Sequence, residues 1–216
     1  MTPTATVTDP MTEAILDATR ASVLDFGIRR TSLTDVARRA GVSRMTVYRR
    51  YPDVDAILRD LMTREFGVLL QELFAHPEGA DGRARTTWLV VAGARGLRDH
   101  PLLQRIITVE PEVLLPYLLG RMGETQRHAL GLLTTSVADG QADGSIRTGD
   151  ARVIATALLL LGQSFLSSQS TIEGVTPAAL DDELARLIHA QPPGVRLHFR
   201  HIGVDEVLIS VPADLY

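Results

Sequence analysis

The stretch TDVARRAGVSRMTVYRRYP, Thr34 to Pro52, gathers five arginines against one acid in a chain whose formal charge is −4. Its apolar residues are spaced, not scattered. Leu33, Val36, Ala37 and Ala40 share one face of a short helix. Ser32 stands three residues before Asp35, the spacing of a capping box. Gly41 can take the left-handed conformation that a tight turn requires. Ser43 can cap a third helix from Arg44 to about Arg50, and Pro52 stops it. Val36, Ala37, Val42 and Val47 then fix two short helices at one angle, which makes a helix-turn-helix. This leaves Arg44, Met45, Thr46, Tyr48 and Arg49 projecting outward. Arginine can fork onto a guanine edge, and Met or Thr can touch a thymine methyl. Arg50, Tyr48, Thr31 and Ser32 stand better for backbone phosphates, which give affinity without sequence choice. The bland alternative is a helical hairpin with a solvated basic face; turn, cap, spacing and charge together favour a DNA-reading head.

Charge distribution agrees. Between Ile28 and Arg50 there are seven arginines and one acid, so the remainder of the chain must be clearly acidic. A cationic segment on an anionic body suits a polyanionic partner. All 22 basic residues are arginine, so the choice of Arg over Lys at any one position carries little meaning. Cysteine is absent, which excludes disulfides and thiolate metal sites and fits a reducing, cytoplasmic setting. The opening MTPTATVTDP has neither a basic region nor an apolar core, so no signal peptide is expected. The longest apolar run, Val153 to Gly162, is about half of what a membrane span needs and reads as a buried helix.

Working outward, the pattern is helical almost throughout, and the expected fold class is all-α. Ile15, Leu16, Thr19, Val23 and Phe26 recur at helical spacing before Gly27, a suitable C-cap. Asp53 can cap a fourth helix through residues 54–74. Further helices are expected over 82–99, 101–108, 111–139, 151–170 and 177–190, with Pro116 and Gly120 kinking or dividing the third of these. The tail alternates Val195, Leu197, Phe199 and then Val207, Ile209, Val211 around Gly203, the pattern of a short β-hairpin.

The run from Thr31 to Met62, TSLTDVARRAGVSRMTVYRRYPDVDAILRDLM, resembles the DNA-binding domain of TetR-family transcriptional regulators. The matching elements are Thr31-Ser32, Asp35-Val36-Ala37, Ala40 to Ser43, Thr46-Val47-Tyr48 and the aromatic Tyr51. One departure is Val54, where the family usually has a phosphate-gripping lysine. The resemblance implies a helix-turn-helix domain over 10–52, a larger helical ligand-binding and dimerisation domain over 53–191, and an extension over 192–216. It implies a homodimer through 151–190 and hence a roughly palindromic double-stranded operator. It also implies a repressor released by a small effector. Trp88, Tyr117, Met122, His128, Gln163 and Phe165 could line a mainly apolar ligand cavity with a few polar handles. The alternative is a DNA-binding regulator governed by a protein partner with no small-molecule effector. Nothing points to an enzyme, a cofactor or a metal. Gly93 to Gly96 (GARG) lacks the spacing and the preceding strand of a phosphate loop, and His198 and His201 would face opposite sides of a strand.

Overall fold

The computed structural model describes residues 9–114, 122–168 and 174–189. They form α1 (Pro10–Phe26), α2 (Leu33–Arg39), α3 (Arg44–Arg50), α4 (Val54–Ala75), α5 (Gly82–Asp99), α6 (Pro101–Val109), a 3-10 turn (Pro111–Leu114), α7 (Glu124–Ala142), α8 (Ala151–Ser168) and α9 (Pro177–His189). No strand occurs among the described residues, and the tail expected to form a hairpin lies outside them. The all-α class holds.

Helix starts follow local capping chemistry. Asp9, Ser32, Ser43, Asp53 and Asp81 each accept a first-turn backbone N–H with the side chain. Each cap is worth about 1 kcal/mol. The Asp9 cap, with Pro10 in the first turn, sets the start of α1. The expected helix over 111–139 needs a correction. Residues 111–114 make a 3-10 turn, and α7 begins only at Glu124, after Gly123, and runs on to Ala142. Pro116 and Gly120 lie outside the described residues.

Two apolar cores form. The first joins Ile15 and Val23 of α1, Val36 of α2, Val47 of α3 and Ile57 and Leu61 of α4, all essentially inaccessible to solvent. It reaches past residue 52, because Leu102 and Ile106 of α6 are buried in it as well. The second core joins α5, α7, α8 and α9 around Val90, Leu133, Val137, Ala155 and Leu184. The GARG segment sits inside α5, where Gly96 lets Leu69 of α4 approach closely. A Cβ on Gly96 would stand 2.7 Å from Leu69 Cδ1. α9 is tied to α5 by a buried carboxylate: Asp181 accepts two bonds from Arg98 at 2.9 Å and one from Arg95 at 3.0 Å. Among the described residues no helix is long and apolar enough to cross a membrane.

Candidate nucleic-acid interface

The reading head is built from two short helices and one glycine. Gly41 has φ +67, and a side chain there would be strained although the space is open. The Val42 N–H bonds back to the Ala37 carbonyl at 3.0 Å, which closes the turn after α2. Ser43 Oγ accepts the Thr46 N–H at 3.1 Å, so α3 starts at a defined residue. Val47 is the buried residue of α3, and it anchors the helix by its inner face. The rest of α3, Thr46 apart, is exposed. Arg44, Met45, Tyr48 and Arg49 are exposed, Met45 to 75%, while Thr46 is half-buried with its hydroxyl 2.8 Å from Ser43 Oγ. Met45, largely exposed, suits contact with an apolar base edge such as a thymine methyl.

The seven arginines between Ile28 and Arg50 separate into two groups. Arg38 and Arg39 both bond Asp35, and Arg39 also reaches Asp25 at 2.9 Å and lies 5.1 Å over the Phe26 ring. The Arg38 bonds first, then those of Arg39, hold the Asp35 carboxyl below its ordinary range against the opposing pull of partial burial. Asp35 also accepts from Ser22 at 3.3 Å, so it serves α1–α2 packing. The expected capping box forms only in its first half, Ser32 Oγ accepting the Asp35 N–H at 3.1 Å. Arg29 pairs with Glu112, and Arg50 with Asp9 and Thr12. Arg30, Arg44 and Arg49 stand in no ion pair among the described residues. The uncompensated positive charge is therefore concentrated on α3 and the turn before α2.

Thr31 needs a correction as a phosphate contact. Its side chain is buried, and its hydroxyl donates to the Gly27 carbonyl at 2.9 Å, closing the α1–α2 turn from inside. Ser32 is exposed, as is Tyr48 at 52%. Val54, the departure from the family pattern, packs partly buried against the first core. Tyr51 is buried too, and desolvation, with Asp60 beside its hydroxyl, pushes that group up to about 12. It is a structural aromatic.

Among the described residues, the ligand candidates do not converge on one cleft. Gln163 lies in the wall of an apolar cleft bounded by α4, α5, α7 and α8, together with Leu70, Phe74, Gly93 and Gly162. Trp88 and Phe165 are partly buried against the second core, and Met122 and His128 are exposed. Tyr117 lies outside the described residues. The aliphatic walls of the cleft escaped sequence reasoning, because Leu and Gly in a helix carry no signal separating a cavity wall from a filled core.

A helix-turn-helix carrying an exposed, unneutralised arginine pair on its second helix, set on an otherwise acidic helical body, defines a DNA-binding regulator. Residues 15–61 match the family described as bacterial regulatory proteins, tetR family. A Mycobacterium bovis protein named as an HTH-type transcriptional regulator is 35% identical over 176 residues, spanning 81% of this chain and 90% of that protein. The chain belongs to the TetR family of transcriptional regulators. Its fold is shared with the fatty acid degradation regulator FadR of Bacillus halodurans, at 18% identity and a TM-score of 0.64, covering 85% of this chain and 96% of that one. It is also shared with FadR of Bacillus subtilis, solved with stearoyl-CoA, at 16% identity and a TM-score of 0.59, covering 82% and 97%.

Proposed function

We propose that the protein is a homodimeric transcriptional repressor that leaves a roughly palindromic operator when a small, mainly apolar ligand enters the cleft between α4, α5, α7 and α8. The observation that carries this reading is the position of the cleft. Leu70 and Phe74 of α4 form one wall, and the same helix supplies Ile57 and Leu61 to the core of the reading head. A ligand that displaces the far end of α4 therefore acts on the head through one continuous element. The cleft measures about 80 Å³. Ligand sites usually span ~300–1,000 Å³, so occupancy requires α5 and α8 to part, and that movement is the switch. A ligand changes DNA affinity only to the extent that it prefers the parted form.

Arg44, Met45, Thr46 and Arg49 would meet base edges, and Ser32, Tyr48 and Arg50 phosphates, with Arg50 first released from Asp9. Thr31 would act by shaping the turn. The dimer reading rests on α8 and α9. Val153 and Leu160 of α8 and Leu187 of α9 are 63%, 56% and 48% exposed. Ala157 is exposed between the first two, making an apolar stripe at helical spacing. A second copy would cover it.

Stearoyl-CoA, the ligand solved with the Bacillus subtilis relative, and a panel of uncharged long-chain compounds test the ligand reading. A compound at 100 times its dissociation constant should stabilise the free protein by ~2.7 kcal/mol and release the operator. If operator binding ignores every compound while no compound shifts stability, control by a protein partner becomes the better reading.

A further inference from the structure

The buried carboxylate of Glu110 belongs to neither the reading surface nor the cleft. Glu110 follows α6 directly and is 6% exposed. Its Oε2 accepts the Ile28 N–H at 2.6 Å, and its Oε1 accepts the Arg29 N–H at 3.0 Å, across sequence separations of 82 and 81 residues. These amides belong to the turn that leads from α1 into α2. Gly27, at φ +87, leaves the room: a Cβ there would stand 3.2 Å from Oε1. Two weaker ties flank the clamp. Glu112 pairs with the Arg29 guanidinium at 2.5 Å, and Arg105 donates to the Asp25 carbonyl at 3.4 Å.

α6 thus has both ends fixed. At its start, His100 and Pro101 follow α5, whose Arg98 forks onto Asp181 of α9. Along its length Leu102 and Ile106 are sunk in the core of the reading head. At its end the Glu110 carboxylate grips the α1–α2 turn at two points, and two parallel bonds resist rotation where one would permit it. Through Arg98 and Asp181, α6 therefore connects α9, the helix that carries Leu187, to the turn that aims α2 and α3.

We infer that Glu110 is a positioning residue that fixes the separation of the two reading helices in the dimer, and so the spacing of half-sites that the protein accepts. This rests on the dimer reading above. Its bonds go to the Ile28 and Arg29 amides and not to α3, so its replacement should leave the side chains of α3 in place and change their aim.

The test uses the full chain and a duplex selected by the wild-type protein from random sequence. The half-sites are moved apart or together by one base pair, and a single half-site is measured alongside. Wild type should prefer the selected spacing by at least tenfold. E110Q keeps the volume but sets an amide NH2, a donor, against one of the two backbone N–H donors. Losing a bond to a charged acceptor is worth about tenfold, so the preference should fall below threefold with half-site affinity unchanged. E110D, which draws the carboxylate back by one methylene, should behave alike and decides the outcome where E110Q is unstable. Retention of the full spacing preference in both variants overturns the inference. So does a loss of half-site affinity equal to the loss on the whole operator, which would mean that Glu110 only supports the fold of the head. A wild type indifferent to spacing overturns the dimer reading and the inference together.

Discussion

Replacing Asp181 by alanine should cost more than any surface ion pair in the molecule. The carboxylate is 2% exposed and receives a fork from Arg98, itself 14% exposed, plus one bond from Arg95, which is 54% exposed. Stripping one partner from a buried pair leaves a charge without compensation, at about 3–5 kcal/mol. The Arg95 bond adds little because water competes for it. Arg98 keeps a bond to exposed Asp99 at 3.3 Å, which moderates the loss. The lower end, about 3 kcal/mol, is therefore expected. For a chain of this length that corresponds to a fall in Tm of roughly 6–12 °C. Thermal and urea unfolding followed by circular dichroism would measure it, at one protein concentration because the stability of the proposed dimer would depend on concentration.

The pH dependence has a definite sign. Hydrogen bonds from Arg98 first, and then from Arg95, hold the Asp181 carboxyl below its ordinary 3.8, against the upward push of burial. A depressed folded value means that the contribution is complete above the unfolded value and is lost as pH falls through the folded one. The stability gap between wild type and D181A should be flat from about pH 5 to 8 and should close on acidification below about pH 4. A gap under about 1 kcal/mol at neutral pH, or one that does not close in acid, would refute the reasoning.

Three further outcomes are expected. Arg44→Ala should relax base choice at particular positions, whereas Tyr48→Ala should weaken matched and scrambled operators alike; identical specificity profiles for the two would remove the distinction between base and phosphate contacts. Leu160→Glu places a charge on a side chain already 56% exposed, so the chain should fold, sediment as a monomer at micromolar concentration, and bind a complete operator no better than a half-site. Gly93→Leu adds a side chain where a Cβ meets only Leu73 Cδ1, at 3.8 Å. Helix propensity alone should raise stability by about 1 kcal/mol, and the filled cleft should leave operator binding intact but unresponsive to any compound that releases the wild type.

What the sequence made legible was local. The caps at Ser32, Ser43 and Asp53 lie within three residues of the amides that they satisfy, and the Gly41 turn is framed by residues that can serve little else. Helical period marked Ile15, Val23, Val36 and Val47 as core because burial on one face repeats every turn. The long-range partners were illegible for the same reason. Thr31 turns inward because the Gly27 carbonyl waits beneath it, and Arg50 is occupied by an acid 41 residues away. Glu110 has no sequence neighbour to suggest its role. A charge count treats every arginine alike, while the fold decides which are neutralised.

That selection bears on function. Phosphate binding scales with the number of uncompensated cations and is blind to sequence, with log K falling by about 0.9 per neutralised phosphate for each unit of log salt. Seven free arginines on one head would favour any duplex. Asp35, Asp25, Asp9 and Glu112 hold four of them, leaving Arg30, Arg44 and Arg49 without an ion pair among the described residues, two of them on α3, the helix proposed to read bases. On the proposed reading, the acids beside the head should lower affinity for arbitrary DNA more than affinity for a matched site. Two of those pairs, Arg39 with Asp25 and Arg50 with Asp9, fasten α1 to α2 and to the end of α3, so acids that neutralise the head also hold it together. Exchanging the acids for neutral residues would make the head both stickier and looser, and the two effects would erode specificity in the same direction.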